Sequence, residues 1–257
     1  MLIKLHKYSY LIGVWLLLHL LFVLALFNLN VPILAASLGL WFLIGCFGLE
    51  IHFHRKCSHS LKSFDFKSVL FTVIGHLGCQ GSAIFFTATH LRHHQFSDTK
   101  RDPHSPLYGW WDAYVGWSIK RRHVLYGLSG KNCSPNVFNN KIFRFLHQYY
   151  IEFIWGVWII AYLINPAFFY ALIIAQVFSF NQSAFFVNIL SHKKIFLSEN
   201  FHKTTAFNNF YLALISWGVA LHDFHHRYPH SKYYSQKWYE VDIAGRMIKT
   251  LWHSDKF

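Results

Sequence analysis

Residues 8–27 read YSYLIGVWLLLHLLFVLALF and contain no Asp, Glu, Lys or Arg. A helix of about 20 such residues reaches across a hydrocarbon core of about 30 Å. Residues 31–49, 150–164 and 167–190 are similarly apolar. A water-soluble fold has little use for four such segments, so the expectation is an integral membrane protein of four spans in two hairpins. The first segment is too long for a signal-peptide core and is not followed by a small-residue cleavage site. Composition agrees: 54% of residues are hydrophobic, 20% aromatic and 14% charged, whereas soluble domains carry about 25% charged residues. The formal charge of +13 could suggest a nucleic-acid binder, but the apolar runs are too long for a basic soluble fold.

The cations define the topology. The loops at 28–32 and 165–166 contain no Lys or Arg; Lys4 and Lys7 precede the first segment, and the other cations follow the second or the fourth. With spans at about 8–27, 31–49, 150–164 and 167–190, every cation falls on one face, which the positive-inside rule makes cytoplasmic. Regions 50–149 and 191–257 then form one cytosolic cap, and residues 1–257 a single domain. Residues 69–88 (VLFTVIGHLGCQGSAIFFTA) are also apolar, but Gly75, Gly78 and Gly81 with His76 and Gln80 predict a broken, re-entrant or interfacial element. Cys46, Cys57, Cys79 and Cys133 show no CxxC spacing and are expected to be reduced thiols.

Nineteen histidines are the anomaly, and most of them cluster. HRKCSH holds His54 and His59, HLRHH holds His90, His93 and His94, and HDFHH holds His222, His225 and His226. On a helix, i, i+3 and i+4 share one face, so HxxHH is expected to point three imidazoles the same way. Neutral imidazole suits iron, zinc and copper. Single histidines such as His6, His19, His123, His147 and His253 are better read as packed side chains. One HxxHH should arise by chance roughly once in ten such chains; two of them plus HxxxxH, all on one membrane face, favour a metal site. Eight imidazoles exceed the four ligands of tetrahedral zinc and suit two ions of higher coordination. Soluble di-iron bundles use Glu together with two ExxH motifs; that repeated carboxylate pattern does not occur here, so the site would be nearly all imidazole and suited to activating oxygen against a C–H bond.

These residues carry a resemblance that covers nearly the whole chain. HRKCSH is similar to the first histidine box of membrane fatty acyl desaturases of the stearoyl-CoA or bacterial delta-9 type. GCQGSAIFFTATHLRHHQFSDTKRDPHS resembles the second box with its SDT…DPH tail, and GWWDAYVGW the aromatic segment after it. FFVNILSH resembles an NSxxH element, FNNFYLALISWG and HDFHHRYP the third box and its approach, and WYEVDIAGRMIKTLW the closing helix. The resemblance implies an all-α membrane fold, four transmembrane helices under a cytosolic helical cap, and a non-haem di-iron centre. The implied ligands are His54, His59, His90, His93, His94, His192, His222, His225 and His226, with Asn188 acting on one iron through water. Gln80, Phe86 and Ala184 fall where the family bends the acyl chain, and Phe42 and Cys46 near the closed end of its tunnel, although plain helix packing explains each of these as well. Arg121 and Arg122 match a basic pair that meets the acyl carrier's phosphates; a positive-inside charge cluster is an equally good reading.

The implied activity is dioxygen-dependent insertion of a cis double bond, delta-9 by type, into a saturated acyl chain carried on CoA, a carrier protein or a glycerolipid. Electrons would come from a separate small haem or iron–sulfur carrier with its reductase, since no His-Pro-Gly-Gly string of a fused haem domain is present. The nearest rival is a hydroxylase of the same histidine-rich class. A metal transporter would need more polar residues in the spans than His19 and Gln176.

The chain departs from the family pattern at three places. Leu91 follows His90, GVAL precedes the third box, and Glu50 and His52 stand where small residues are usual before the first box. In HFHRKCSHS, helical geometry at 100° per residue makes His52 and His59 nearly coincide and sets His54 and His59 about 140° apart. Periodicity therefore selects His52, whereas the resemblance selects His54 and His59 and leaves His52 as a local side chain.

Overall fold

A computed structural model describes residues 11–60, 65–120, 133–193, 198–199 and 205–252. Helices dominate, and one ribbon of two residues per strand, Ser198–Glu199 against Asn208–Asn209, is the departure from an all-α fold. Helix α1 spans Leu11–Phe27, and α2 begins at Val31. Asn30 starts α2 by accepting the Ile33 backbone N–H at 2.9 Å, and Pro32 sits in the first turn, where its missing N–H costs nothing. The same device recurs at Asn165 and Pro166, which open the helix Pro166–Asn181 after Tyr150–Ile164.

Among the described residues, two helices are long and apolar enough to cross a membrane, Val31–Ser60 and Pro166–His192; α1 and Tyr150–Ile164 are apolar but shorter. The first span is expected from Tyr8, and its start lies outside the described residues, which begin at Leu11. Pro166–Asn181 packs against α1, α2 and Tyr150–Ile164, enclosing Leu18, Ile33, Ile154 and Leu172. Trp158 donates its indole N–H to Gln176 at 2.8 Å, which occupies one of the few polar groups in these helices. The outward faces are apolar too: Leu20, Phe27, Leu163 and Ile164 are 60–85% exposed.

From Phe42 to Ser60 the helix that begins at Val31 widens, its backbone bonds reaching five residues instead of four. Helices of this kind are rare and concentrate at functional sites. Here the widening carries Glu50, His54, Arg55 and His59 in one buried run. Gly48 meets Gly75 of helix α3 (Phe66–His76) backbone to backbone, since a Cβ on Gly48 would stand 2.7 Å from the Gly75 Cα. Helix α4 follows at Ala83–Phe96. Between α3 and α4 the chain breaks at 77–82, where Cys79 (φ 57°) and Gly81 (φ 88°) are both left-handed. The glycine-marked break in 69–88 is therefore present, and it turns α4 toward α2. All four cysteines are unbridged and buried.

Candidate metal centre

The first histidine cluster gathers His54 and His59 from the widened helix, His90 and His94 from α4, and His225 from the helix His222–Arg227. The second gathers His93, His192, His222 and His226. The two HxxHH strings do not each point three rings one way, as expected from their spacing. The i, i+4 pair of α4 enters the first cluster while His93 turns to the second; His222 and His226 enter the second while His225 crosses to the first. Residues three and four apart flank the helix face on opposite sides, so two clusters set side by side can divide them.

The ring nitrogens converge. In the first cluster, Nε2 pairs approach to 3.0 Å (His54–His225), 2.8 Å (His59–His90), 3.0 Å (His90–His94) and 2.8 Å (His94–His225). In the second they approach to 3.2 Å (His93–His226), 3.2 Å (His192–His222) and 3.1 Å (His222–His226). The opposite nitrogens decide which form these rings take. His54 Nδ1–H donates to Glu50 Oε2 at 2.9 Å, and His93 Nδ1–H donates to both oxygens of Asp102 at 3.0 Å. His192 Nδ1 lies 2.8 Å from Thr205 Oγ1, whose hydroxyl donates to Asp98 at 2.7 Å, so His192 must be the donor to Thr205. In these three rings Nε2 therefore carries a lone pair and no proton.

Protons do not relieve the crowding of the rest. Burial, reinforced by neighbouring imidazoles, holds His90, His94, His222, His225 and His226 well below the ordinary histidine range. A cation among the Nε2 atoms satisfies them. Imidazole nitrogens bind first-row ions at about 2.0–2.1 Å, which separates right-angle neighbours by about 3.0 Å and tetrahedral ones by about 3.4 Å. The observed 2.8–3.2 Å fits the former. Each cluster can hold a metal ion, and the donor set fits an ion of more than four ligands.

An apolar cavity ends on both clusters, with His54, His90, His93 and His222 on its wall. Gln80, Phe86, Ala184 and Asn188 line it as well. Phe86 stacks on His90 with the ring planes 15° apart, Gln80 is anchored by donating to Ser179 O at 3.1 Å, and Asn188 donates to Ala113 O at 3.4 Å. Phe42 and Cys46 are not on this wall. They belong to a separate apolar cluster with Phe47, Ile51, Trp217 and Ile248, because the face of the widened helix that carries them packs on the C-terminal helix Ile243–Leu251. Plain helix packing, the alternative reading of these two residues given above, accounts for that position. Arg121 and Arg122 lie outside the described residues.

His52 does not join either cluster. Its Nε2–H donates to Thr72 Oγ1 at 2.6 Å, since the Thr72 hydroxyl is itself spent on Ser68 O. His54 and His59 share a cluster although an α-helix would set them far apart around its axis. In the widened helix, residues five apart are those that stand one turn above another, and the 140° objection disappears. Glu50–Arg55 and Ser58–Phe53 are paired at the same interval.

Several partners of the histidines escaped the spacing argument. Asp98 and Asp102 were visible as the SDT…DPH tail but not as acceptors for imidazole. Glu50 stood out only as a departure from pattern, and Thr205 carried no sequence signal at all. His104, also on the cavity wall, lies 4.5 Å ring to ring from His93, and burial pushes it down to about 3.

The sequence model for fatty acid desaturases matches residues 30–255 of the chain. An acyl-CoA 5-desaturase of Anemone leveillei is 25% identical over 237 residues, covering 91% of this chain and 73% of that protein. A chloroplastic palmitoyl-monogalactosyldiacylglycerol delta-7 desaturase of Arabidopsis thaliana is 28% identical, with 93% of this chain and 65% of the relative covered. An sn-1 stearoyl-lipid 9-desaturase of Synechocystis is 28% identical, with 82% and 66% covered. The chain thus spans about two thirds of the length of these curated relatives.

Proposed function

This chain belongs to the fatty acid desaturase family, an oxidoreductase acting on fatty acyl chains, and from that premise we propose that it inserts a cis double bond, at position nine, using two iron ions and dioxygen. The observation that carries the reading is the pair of converging Nε2 clusters at the end of one apolar cavity. His54, His59, His90, His94 and His225 hold one ion; His93, His192, His222 and His226 hold the other, with Asn188 beside it. Two iron ions bound there supply oxygen-dependent removal of hydrogen from an unactivated C–H bond.

The remaining tasks fall to the protein. Glu50, Asp102 and the Thr205–Asp98 pair fix the imidazole tautomers, so that each Nε2 lone pair faces inward before any ion arrives. The cavity wall takes a saturated chain, and Phe86, Gln80 and Ala184 hold its methylenes beside His90, His93 and His222. The apolar lining excludes water from the reacting carbon. Position nine is supported by the delta-9 enzymes among the relatives, and relatives named for CoA-linked and lipid-linked chains make either carrier chemically reasonable.

We read residues 1–257 as one domain with four spans. Apolar side chains exposed on α1 and Tyr150–Ile164 support two spans beyond the two long helices, because lipid would cover them. The basic regions and both clusters then share the cytoplasmic face. Electrons enter from a separate small haem or iron–sulfur carrier, and the charge of +13 suits an acidic one; turnover with that carrier should weaken as salt rises.

The test is expression in a desaturase-deficient host, followed by mass spectrometry of total fatty acids with the double bond located. New 9-monounsaturates that vanish in His93→Ala are expected. Hydroxy acids would move the reading to a hydroxylase, and unchanged lipids despite iron-loaded protein would overturn it.

A further inference from the structure

Glu50 lies four positions before His54 in the widened helix. Its side chain is buried and bonded at both oxygens. Oε2 accepts from His54 Nδ1–H at 2.9 Å, and Oε1 accepts from Arg55 Nε–H at 2.8 Å. Arg55 is held in turn. Its guanidinium donates to Asp242 Oδ1 at 2.7 Å and Oδ2 at 3.0 Å, donates to Lys232 O at 2.7 Å, and lies 3.8 Å over the Tyr234 ring. Asp242 caps the helix Ile243–Leu251 by accepting the Gly245 N–H at 2.9 Å. A continuous buried line therefore runs from the C-terminal helix through Asp242, Arg55 and Glu50 to His54.

We propose that Glu50 is a positioning residue of the first metal site and that it anchors His54 to the C-terminal helix through Arg55 and Asp242. The inference rests on the reading of the clusters as metal sites. Its chemistry is specific to a carboxylate. Two N–H donors, from His54 and Arg55, face the two oxygens, so both acceptor positions are required at once. A glutamine of the same shape would turn its NH2 toward one of those donors. If it faced His54, the ring would be driven to the other tautomer, with a proton on Nε2 where the lone pair is needed. The second cluster has a parallel in Asp102 on His93, but Asp102 accepts from backbone N–H groups of Asp98 and His104 and not from a buried arginine. The two sites therefore depend on different parts of the chain.

The experiment uses the full chain, iron-loaded in nanodiscs, and reads iron per chain, Mössbauer spectra and the rate of iron removal by a chelator. In the wild type two ions are expected; absence of iron there would fault the metal-site reading itself. With two ions present in the wild type, Glu50→Gln should lose one of them roughly 10–100-fold faster, the usual effect of removing such a partner, while the other keeps its spectrum. Glu50→Asp should recover part of the retention. Glu50→Ser, which removes the carboxylate and leaves a small side chain, serves if the glutamine variant fails to fold, and should show the same selective loss. Retention of both ions at the wild-type rate, with an unchanged spectrum in Glu50→Gln or Glu50→Ser, would overturn the proposal.

Discussion

His93 Nδ1 lies 3.0 Å from both carboxylate oxygens of Asp102, and that carboxylate is fully buried. The Asp98 and His104 backbone N–H groups also donate to it, at 3.2 and 3.1 Å. Against its burial, the His93 ring and, after it, His104 with its backbone N–H hold the Asp102 carboxyl well below the usual range. Asp102→Asn would present a donor to the His93 N–H in one of its two orientations. Metal affinity at the second cluster should fall roughly 10–100-fold, read as lost iron per chain at a fixed chelator concentration.

His52→Ala and His54→Ala separate neighbours that look alike in the sequence. His52 bonds Thr72 and touches neither cluster. Its truncation should lower stability by about 1–3 kcal/mol through a lost buried hydrogen bond and a small cavity, yet leave two ions bound. His54→Ala should lose metal from the first cluster. Thermal unfolding followed by metal analysis distinguishes them, and equal metal loss in both would contradict the assignment.

Acid should empty the site. The imidazoles of His90, His94, His222, His225 and His226 are depressed from the ordinary 6.5, chiefly by burial. Folded-state pKa values below the unfolded value mean that the unfolded chain binds more protons in this range. The stability these groups permit is thus present above about pH 6.5 and is lost as pH falls toward their folded values. Protons also compete with metal for Nε2. Melting temperature and bound iron should both hold steady from pH 8 to 7 and decline together below about 6.5.

Gly48 and Gly75 set the approach of the widened helix to α3. Gly48→Ala would place a methyl 2.7 Å from Gly75 Cα and N, backbone atoms that cannot rotate away. The cost of about 1–3 kcal/mol exceeds the 0.5–1 kcal/mol that alanine gains in a helix. A lowered melting temperature is expected.

How much of this was legible in the sequence depends on the kind of signal. The apolar runs and the glycine-marked break within 69–88 are local, and local chemistry reads directly. The histidine strings announced a metal site by type and spacing, but not which ring joins which cluster. Division of His90 and His94 from His93 depends on where two helices cross. His54 and His59 could not be paired by α-helical periodicity because the helix there is not α-helical. Glu50, Arg55 and Asp242 are up to 192 residues apart in sequence, and only the packing of the last helix brings them together. The same packing sets Phe42 and Cys46 in an apolar cluster with Ile248, a partner about 200 residues away in sequence.

The account stands most directly on the number and assignment of bound ions. Iron per chain and Mössbauer spectra should be measured on the full protein and on His59→Ala and His192→Ala, one histidine from each cluster. Two irons are expected in the wild type, with each variant losing its own cluster's ion first. A single ion in the wild type, or two ions retained in both variants, would contradict it.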